Sequence, residues 1–224
     1  MPKKATRDDR PVLLGVCLSL GETVEVAAAD GFRLAVREVP GSLPHHNKRV
    51  ILPAGAVRAL AHLWKLAGSA PDVHDMASVA DLATARRLLR LEYSQTHARF
   101  TFGRVALRTQ LIQGDFPRYH QLIPEATSQV ACMAGDLRRG VDLLARLASG
   151  GSGIIRLSWE GDTLTLEGGN EDEGRASTTV PLVHGGGKGY IAVYSRYLRD
   201  ALHNQEGIVT LGTTTPSSPM TLTL

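Results

Sequence analysis

The chain has 224 residues, 43% of them hydrophobic and 5% aromatic, and its net charge of +3 with a pI near 9.0 permits a polyanionic partner without demanding one. That length suits one large domain or two of about 110 residues, with a core of mostly Leu, Val, Ile and Ala. Cys17 and Cys132 stand far apart in sequence, the polar start Met-Pro-Lys-Lys is unlike a signal peptide, and no apolar run approaches about 18 residues; a disulfide scaffold, a zinc site, a secreted protein and a membrane-spanning helix are therefore not expected, and the cytoplasm is.

Residues 1–9 read as a charged tail. Alternating apolar residues predict strands over Val12–Leu20 and Thr23–Ala28, separated by a turn at Gly21-Glu22. Asp30-Gly31 then suits a tight reversal, because Asp bonds its own backbone and Gly accepts positive φ, and the chain leaves as a strand over Arg33–Val39. A loop over Pro40–Asn47 precedes a short strand, Arg49–Leu52. Pro53 is expected to open a helix, as Pro fits the first helical turn; Val57, Leu60, Ala61 and Trp64 form its apolar stripe, with Arg58, His62 and Lys65 together on another face.

After a loop at 67–71, Met76–Arg87 fits either a helix or an insertion. Leu88–Tyr93, Ala98–Phe102 and Val105–Leu111 predict three strands, and Phe116 to Pro124 an extended connector between domains. A second unit then follows. Gln129–Met133 is a strand, and Gly135-Asp136 should cap a helix bearing Leu137, Val141, Leu144 and Ala148. Ile154–Trp159 and Thr163–Leu166 form a hairpin, Arg175–Leu182 and Tyr190–Val193 are further strands, and Ser195 should cap a helix with Tyr197, Leu198, Ala201 and Leu202. Strands over Ile208–Gly212 and Met220–Leu224 end the chain.

The two halves resemble each other. Val16 set against Ile155 gives an offset of 139, and Pro53 set against Tyr194 gives 141. Two features thus agree on a repeat of about 140 residues, each copy running strand, hairpin, strand, loop, strand, helix, strands.

Catalytic motifs are wanting. Gly185-Gly186-Gly187-Lys188-Gly189 misses the phosphate-loop pattern at both ends and reads as a flexible strand connector. Gly151-Ser152-Gly153 is not a nucleophile elbow, Glu171-Asp172-Glu173 reads as a solvated turn, and His45-His46 has no ligand partner in sequence. No metal or cofactor is called for, and an enzyme is not expected. The helices say more: Arg58, His62 and Lys65, then Arg139, Asp142 and Arg146 with Arg138 beside them, then Arg196, Arg199 and His203, each share a face opposite an apolar one. Such stripes suit sequence-independent, salt-sensitive contacts to a phosphate backbone.

Four segments resemble the bacterial DNA sliding clamp, the beta subunit of DNA polymerase III: Arg10 to Val16, Ala28-Ala29-Asp30-Gly31-Phe32-Arg33-Leu34-Ala35, Leu111 to Tyr119 with its Gly-Asp-Phe-Pro-Arg-Tyr, and Tyr197 to Leu202. They occur in the family's order and span nearly the whole chain. The resemblance implies an α+β DNA-clamp fold of two repeated domains, each with antiparallel sheets outside and helices on the inner face. Residues 1–124 would correspond to the family's middle domain without its first strand and helix, and 125–224 to its C-terminal domain without its last strand.

It further implies a non-catalytic processivity factor, an accessory subunit of a DNA polymerase (nucleotidyltransferase) holoenzyme, that encircles duplex DNA and docks peptides of polymerase and clamp loader. By position, the peptide groove would use Leu13, Ala29, Gly31, Phe32, Arg33, Leu34, Pro117, Gln121, Leu122, Tyr194 and Tyr197. At Ala29, Phe32, Gln121 and Tyr194 the family usually has Thr, His, Arg and Asn. DNA contacts are expected from Arg10, Arg58, Lys65, Arg138, Arg139, Arg146, Arg196 and Arg199. With only two of three family domains matched, the chain is expected to be either a fragment or a two-domain clamp closing as a homo-oligomer, possible as a trimer of six domains. The alternative is a truncated module that captures clamp-binding peptides without encircling DNA.

Overall fold

The structure, a computed structural model, describes residues 10–39, 48–67, 89–148, 152–170 and 174–224. The tail at 1–9, the 40–47 loop with His45-His46, most of the 67–87 segment, and Glu171-Asp172-Glu173 lie outside the described residues. Two compact units are present, Met1–Pro117 and Arg118–Leu224.

In the first unit Val12 does not begin a strand as expected. Pro11–Leu14 forms a 3-10 turn, for which Pro11 is preset by its fixed φ, and strand β1 starts at Gly15 (Gly15–Leu20). β2 (Val24–Ala29), β3 (Leu34–Val39) and β4 (Lys48–Pro53) complete an antiparallel sheet in the order β3-β2-β1-β4. Its register puts Cys17 opposite Ala27 on one side and Ile51 on the other, and all three are buried.

Pro53 closes β4, paired with Gly15, and the helix α1 (Ala54–Ala67) begins one residue later. An edge strand tolerates the missing N–H, so Pro53 punctuates the strand end rather than opening the helix. A second sheet runs β5 (Arg90–Tyr93), β6 (His97–Phe102), β7 (Val105–Gln110). The unit's core holds Leu20, Val50, Leu52, Ala98, Phe100 and Leu111, with Val57 and Leu60 of α1 packed on it. Trp64 meets Phe102 at 5.3 Å between ring centroids. Ala61, expected in the apolar stripe, is exposed; the buried strip of α1 is narrower than the sequence pattern.

The second unit opens on another departure. The segment from Phe116 to Pro124 is not extended throughout, because Tyr119–Leu122 folds as a 3-10 turn with Tyr119 buried and stacked on His120 at 4.4 Å. Pro117 and Pro124 restrict themselves and the residues before them, and the 3-10 turn closes within the stretch 118–122 that lies clear of both. β8 (Ser128–Met133) leads directly into α2 (Ala134–Ala148), so Gly135 and Asp136 lie in the first turn and not before it.

β9 (Ile154–Glu160), β10 (Thr163–Asn170), β11 (Gly174–Gly186) and β12 (Lys188–Tyr194) follow, then the short helix α3 (Ser195–Ala201), β13 (Ile208–Thr213) and β14 (Thr221–Thr223). Ser195 lies inside α3, buried, with Tyr194 at the cap position and no side-chain capping bond. Ala201 is exposed, whereas Leu198 and Leu202 are buried.

The strand order is β12-β9-β10-β11-β8-β13-β14. β11 serves two neighbours: Gly174–Pro181 pairs with β10, and Leu182–Gly186 pairs with β8 after a register shift at Val183. The glycine-rich run is therefore not a flexible connector. Gly185 and Gly186 sit in the β8 ladder, Lys188 and Gly189 in the β9 ladder, and only Gly187 turns the chain. Leu137, Val141 and Leu144 of α2 have no exposed surface and fill a core with Ile155, Leu157, Leu164 and Leu166.

The repeat read from the sequence is present in the topology. β3-β2-β1-β4 of the first unit has its counterpart in β11-β10-β9-β12 of the second. Each four-strand set closes on an equivalent pair, Gly15 with Pro53 and Ile154 with Tyr194, and each passes directly into a helix.

Candidate functional site

The β2–β3 reversal of the first unit is built by Asp30. Its Oδ1 accepts from the main-chain N–H of Phe32 (3.0 Å) and of Arg33 (2.9 Å), and its Oδ2 accepts from Arg33 Nε at 2.9 Å. Gly31 turns the chain with φ +89°. Burial alone would raise the Asp30 carboxyl, but these bonds from Phe32 and Arg33 outweigh it and hold the group below its ordinary value. The loop thereby presents Phe32 with 83% of its surface exposed. Leu13 and Leu34 are half-buried, Ala29 ends β2, and Pro117 is exposed.

In the second unit Leu122 is 66% exposed on its 3-10 turn, beside exposed Gln121. Tyr194, at the start of α3, is 47% exposed and tilts against Tyr197 at 5.4 Å. Of the residues expected to hold a peptide, Gly31, Phe32 and Arg33 share the Asp30 reversal within the first unit, and Tyr194 and Tyr197 meet within the second.

The cationic residues separate into two groups. Arg138, Arg196 and Arg199 line a single cleft of about 520 Å³ between α2 and α3, together with Asp142, Asp200, His203, Tyr194, Ser195, Gly153 and Ala145. The Ser195 N–H donates to the Gly153 carbonyl at 2.9 Å, which ties the start of α3 to the chain entering β9. The other basic residues lie elsewhere. Arg139 pairs with Asp136 in the first turn of α2, Arg146 sits exposed in its last turn, Arg58 and Lys65 are exposed on α1, and Arg10 is exposed before the first 3-10 turn.

One link in this cleft was not visible in the sequence. Asp142 stands three residues after Arg139 and four before Arg146, so helical spacing offers it either partner. It bonds instead across to α3, where Arg199 Nε donates to its Oδ1 at 2.8 Å. Asp200 and Gly153 were also missed as cleft residues, and only tertiary packing reveals them. Among the described residues no three His, Cys, Asp or Glu side chains gather as a metal site, and no helix is long and apolar enough to cross a membrane.

Comparison with known proteins places this architecture. The family model for the central domain of the DNA polymerase III beta subunit matches residues 4–118, just over half of the chain. The beta sliding clamp of Caulobacter vibrioides is 29% identical over 187 residues, covering 80% of this chain and 44% of the relative. That of Staphylococcus aureus is 28% identical over 203 residues, covering 88% and 49%. The chain therefore spans about half the length of the relatives it matches.

Among solved structures, the DNA polymerase III beta subunit of Pseudomonas aeruginosa superposes with a TM-score of 0.79 at 25% identity, over 97% of this chain and 56% of that one. The Bacillus subtilis sliding clamp reaches 0.81 at 20% identity, over 97% of this chain and 54% of that one, and shows the shared fold. With a family model over its first unit and clamp structures over nearly all its length, this chain belongs to the DNA polymerase III beta subunit family of sliding clamps.

Proposed function

We propose that this protein acts as a sliding clamp in DNA replication, a processivity factor that encloses duplex DNA and docks partner peptides while catalysing nothing itself. The observation that carries the reading is the α2–α3 cleft, where Arg138, Arg196 and Arg199 gather in a fold shared with sliding clamps. Arginines on helices suit a tether that moves, because phosphate contacts carry no sequence information and exchange readily with salt. Arg10, Arg58, Lys65, Arg139 and Arg146 would make further contacts to the phosphate backbone. Leu13, Ala29, Gly31, Phe32, Arg33, Leu34, Pro117, Gln121, Leu122, Tyr194 and Tyr197 would receive the apolar anchors of polymerase and clamp-loader peptides. The domains would divide near residue 124, and the protein would work in the cytoplasm.

Retention on DNA tests enclosure. The protein, loaded on nicked circular duplex, should stay bound through a moderate-salt wash and be lost when the circle is linearised. Equal loss from both forms would sink the reading. A second reading is a module that captures clamp-binding peptides without enclosing DNA. Light scattering after size exclusion separates them: a closed ring requires a homo-oligomer, and a monomer that still binds peptide supports the capture module.

A further inference from the structure

We propose that Asp142 is a built-in competitor for the DNA backbone, an intramolecular carboxylate that occupies Arg199 and keeps the basic cleft from gripping too tightly. The inference rests on the duplex-binding reading of the same cleft. Three of the expected DNA-contacting arginines meet there, Arg138, Arg196 and Arg199. A phosphate reaching Arg199 meets a guanidinium already engaged, because its Nε donates to Asp142 Oδ1 at 2.8 Å. Arg199 and Asp142 are each about half exposed, with side-chain exposures of 55% and 45%, so the pair is open to exchange with a ligand. Asp142 belongs to α2 and Arg199 to α3, so the contact spans the cleft that a backbone would enter.

The chemistry follows from exchange of like for like. A phosphate oxygen and a carboxylate oxygen make the same kind of charge-assisted bond to guanidinium. With Asp142 in place, DNA must displace or share it, and one phosphate contact is traded against one internal contact. Without it, Arg199 is a free cation, and one more counterion is released when DNA binds. A clamp that slides gains from the weaker arrangement, since each phosphate must be let go as the next is taken up.

The test measures duplex affinity of the full chain by fluorescence anisotropy across a salt series, using a labelled duplex of mixed sequence. Asp142→Asn is expected to bind roughly eightfold tighter at 0.1 M salt and to steepen the slope of log K against log salt by about 0.9, the contribution of one phosphate contact. Asp162→Asn, which changes net charge equally at a hairpin turn away from the cleft, should move neither. Asp142→Glu should restore the wild-type slope, and the gain from Asp142→Asn should shrink in an Arg199→Ala background.

An unchanged slope in Asp142→Asn, weaker binding, or an equal gain from Asp162→Asn would overturn the inference while leaving duplex binding intact. Absence of salt-dependent duplex binding by the wild-type protein would remove the underlying reading, and the inference with it. Thermal melting of each variant checks that the fold is retained.

Discussion

Asp30 and Arg33 are joined twice, once through the Arg33 main-chain N–H to Oδ1 and once through Nε to Oδ2, both at 2.9 Å. With the Phe32 N–H as third donor, the carboxylate satisfies most of the reversal that displays Phe32. Asp30→Ala should therefore cost about 1–2 kcal/mol, measured by chemical denaturation. Asp30 titrates lower in the folded than in the unfolded protein, so its contribution is fully present above the ordinary Asp value of about 3.9. It is lost as pH falls through the folded value. The stability gap between wild type and Asp30→Ala should narrow on acidification below about pH 4 and stay nearly constant from there to neutrality.

Gly189 lies against the indole of Trp159, so that a Cβ there would collide with the ring atoms Cζ2, Cε2 and Nε1. The ring has nowhere to go, being 2% exposed and bonded through Nε1 to Ser128 Oγ at 2.9 Å. Gly189→Ala should destabilise by roughly 1–3 kcal/mol, as overpacked cores do. Tryptophan fluorescence during urea unfolding reports it, and Gly161→Ala, at an open turn, should cost less because the added methyl meets only backbone strain.

The two thiols should be silent in the native protein. Cys17 and Cys132 have no exposed surface. Burial pushes the Cys132 thiol up to about 11, with the Asp136 charge adding to it, and burial also raises Cys17 against the opposing pull of Arg49. Neither should react with a disulfide dye at pH 8, and both should react in denaturant. Fast labelling under native conditions would contradict the packed sheets around them.

For the proposed peptide groove the informative pair of variants is Leu34→Asp and Phe32→Ala. A labelled Gln-x-x-Leu-Phe peptide should lose about tenfold or more in affinity with either change, as expected for an apolar anchor site. Phe32 is 83% exposed, so its truncation should cost little stability. Binding unaffected by both, and by Pro117→Ala, would place the partner site elsewhere.

Local signals made much of this architecture legible. Asp30-Gly31 and Gly161-Asp162 mark reversals by backbone chemistry, and alternating apolar residues mark the strands between them. The repeat was legible because both copies use the same pairing, Gly15 with Pro53 and Ile154 with Tyr194, to lead a strand into a helix. What failed was set by tertiary partners. Pro11–Leu14 is apolar enough to pass for strand, and β11 reaches Gly186 only because β8 supplies a ladder for residues of poor strand propensity. The Asp142–Arg199 pair was illegible for the same reason, since helix spacing pointed to nearer arginines.

The long strand β11 gives its first half to β10 and its second half to β8. A single ribbon is thus stitched into both halves of the second unit's sheet, so neither half can peel away while the other stays whole. Local fraying there is coupled to global loss of structure, and amides on both flanks of Val183 should show one common opening free energy in hydrogen exchange.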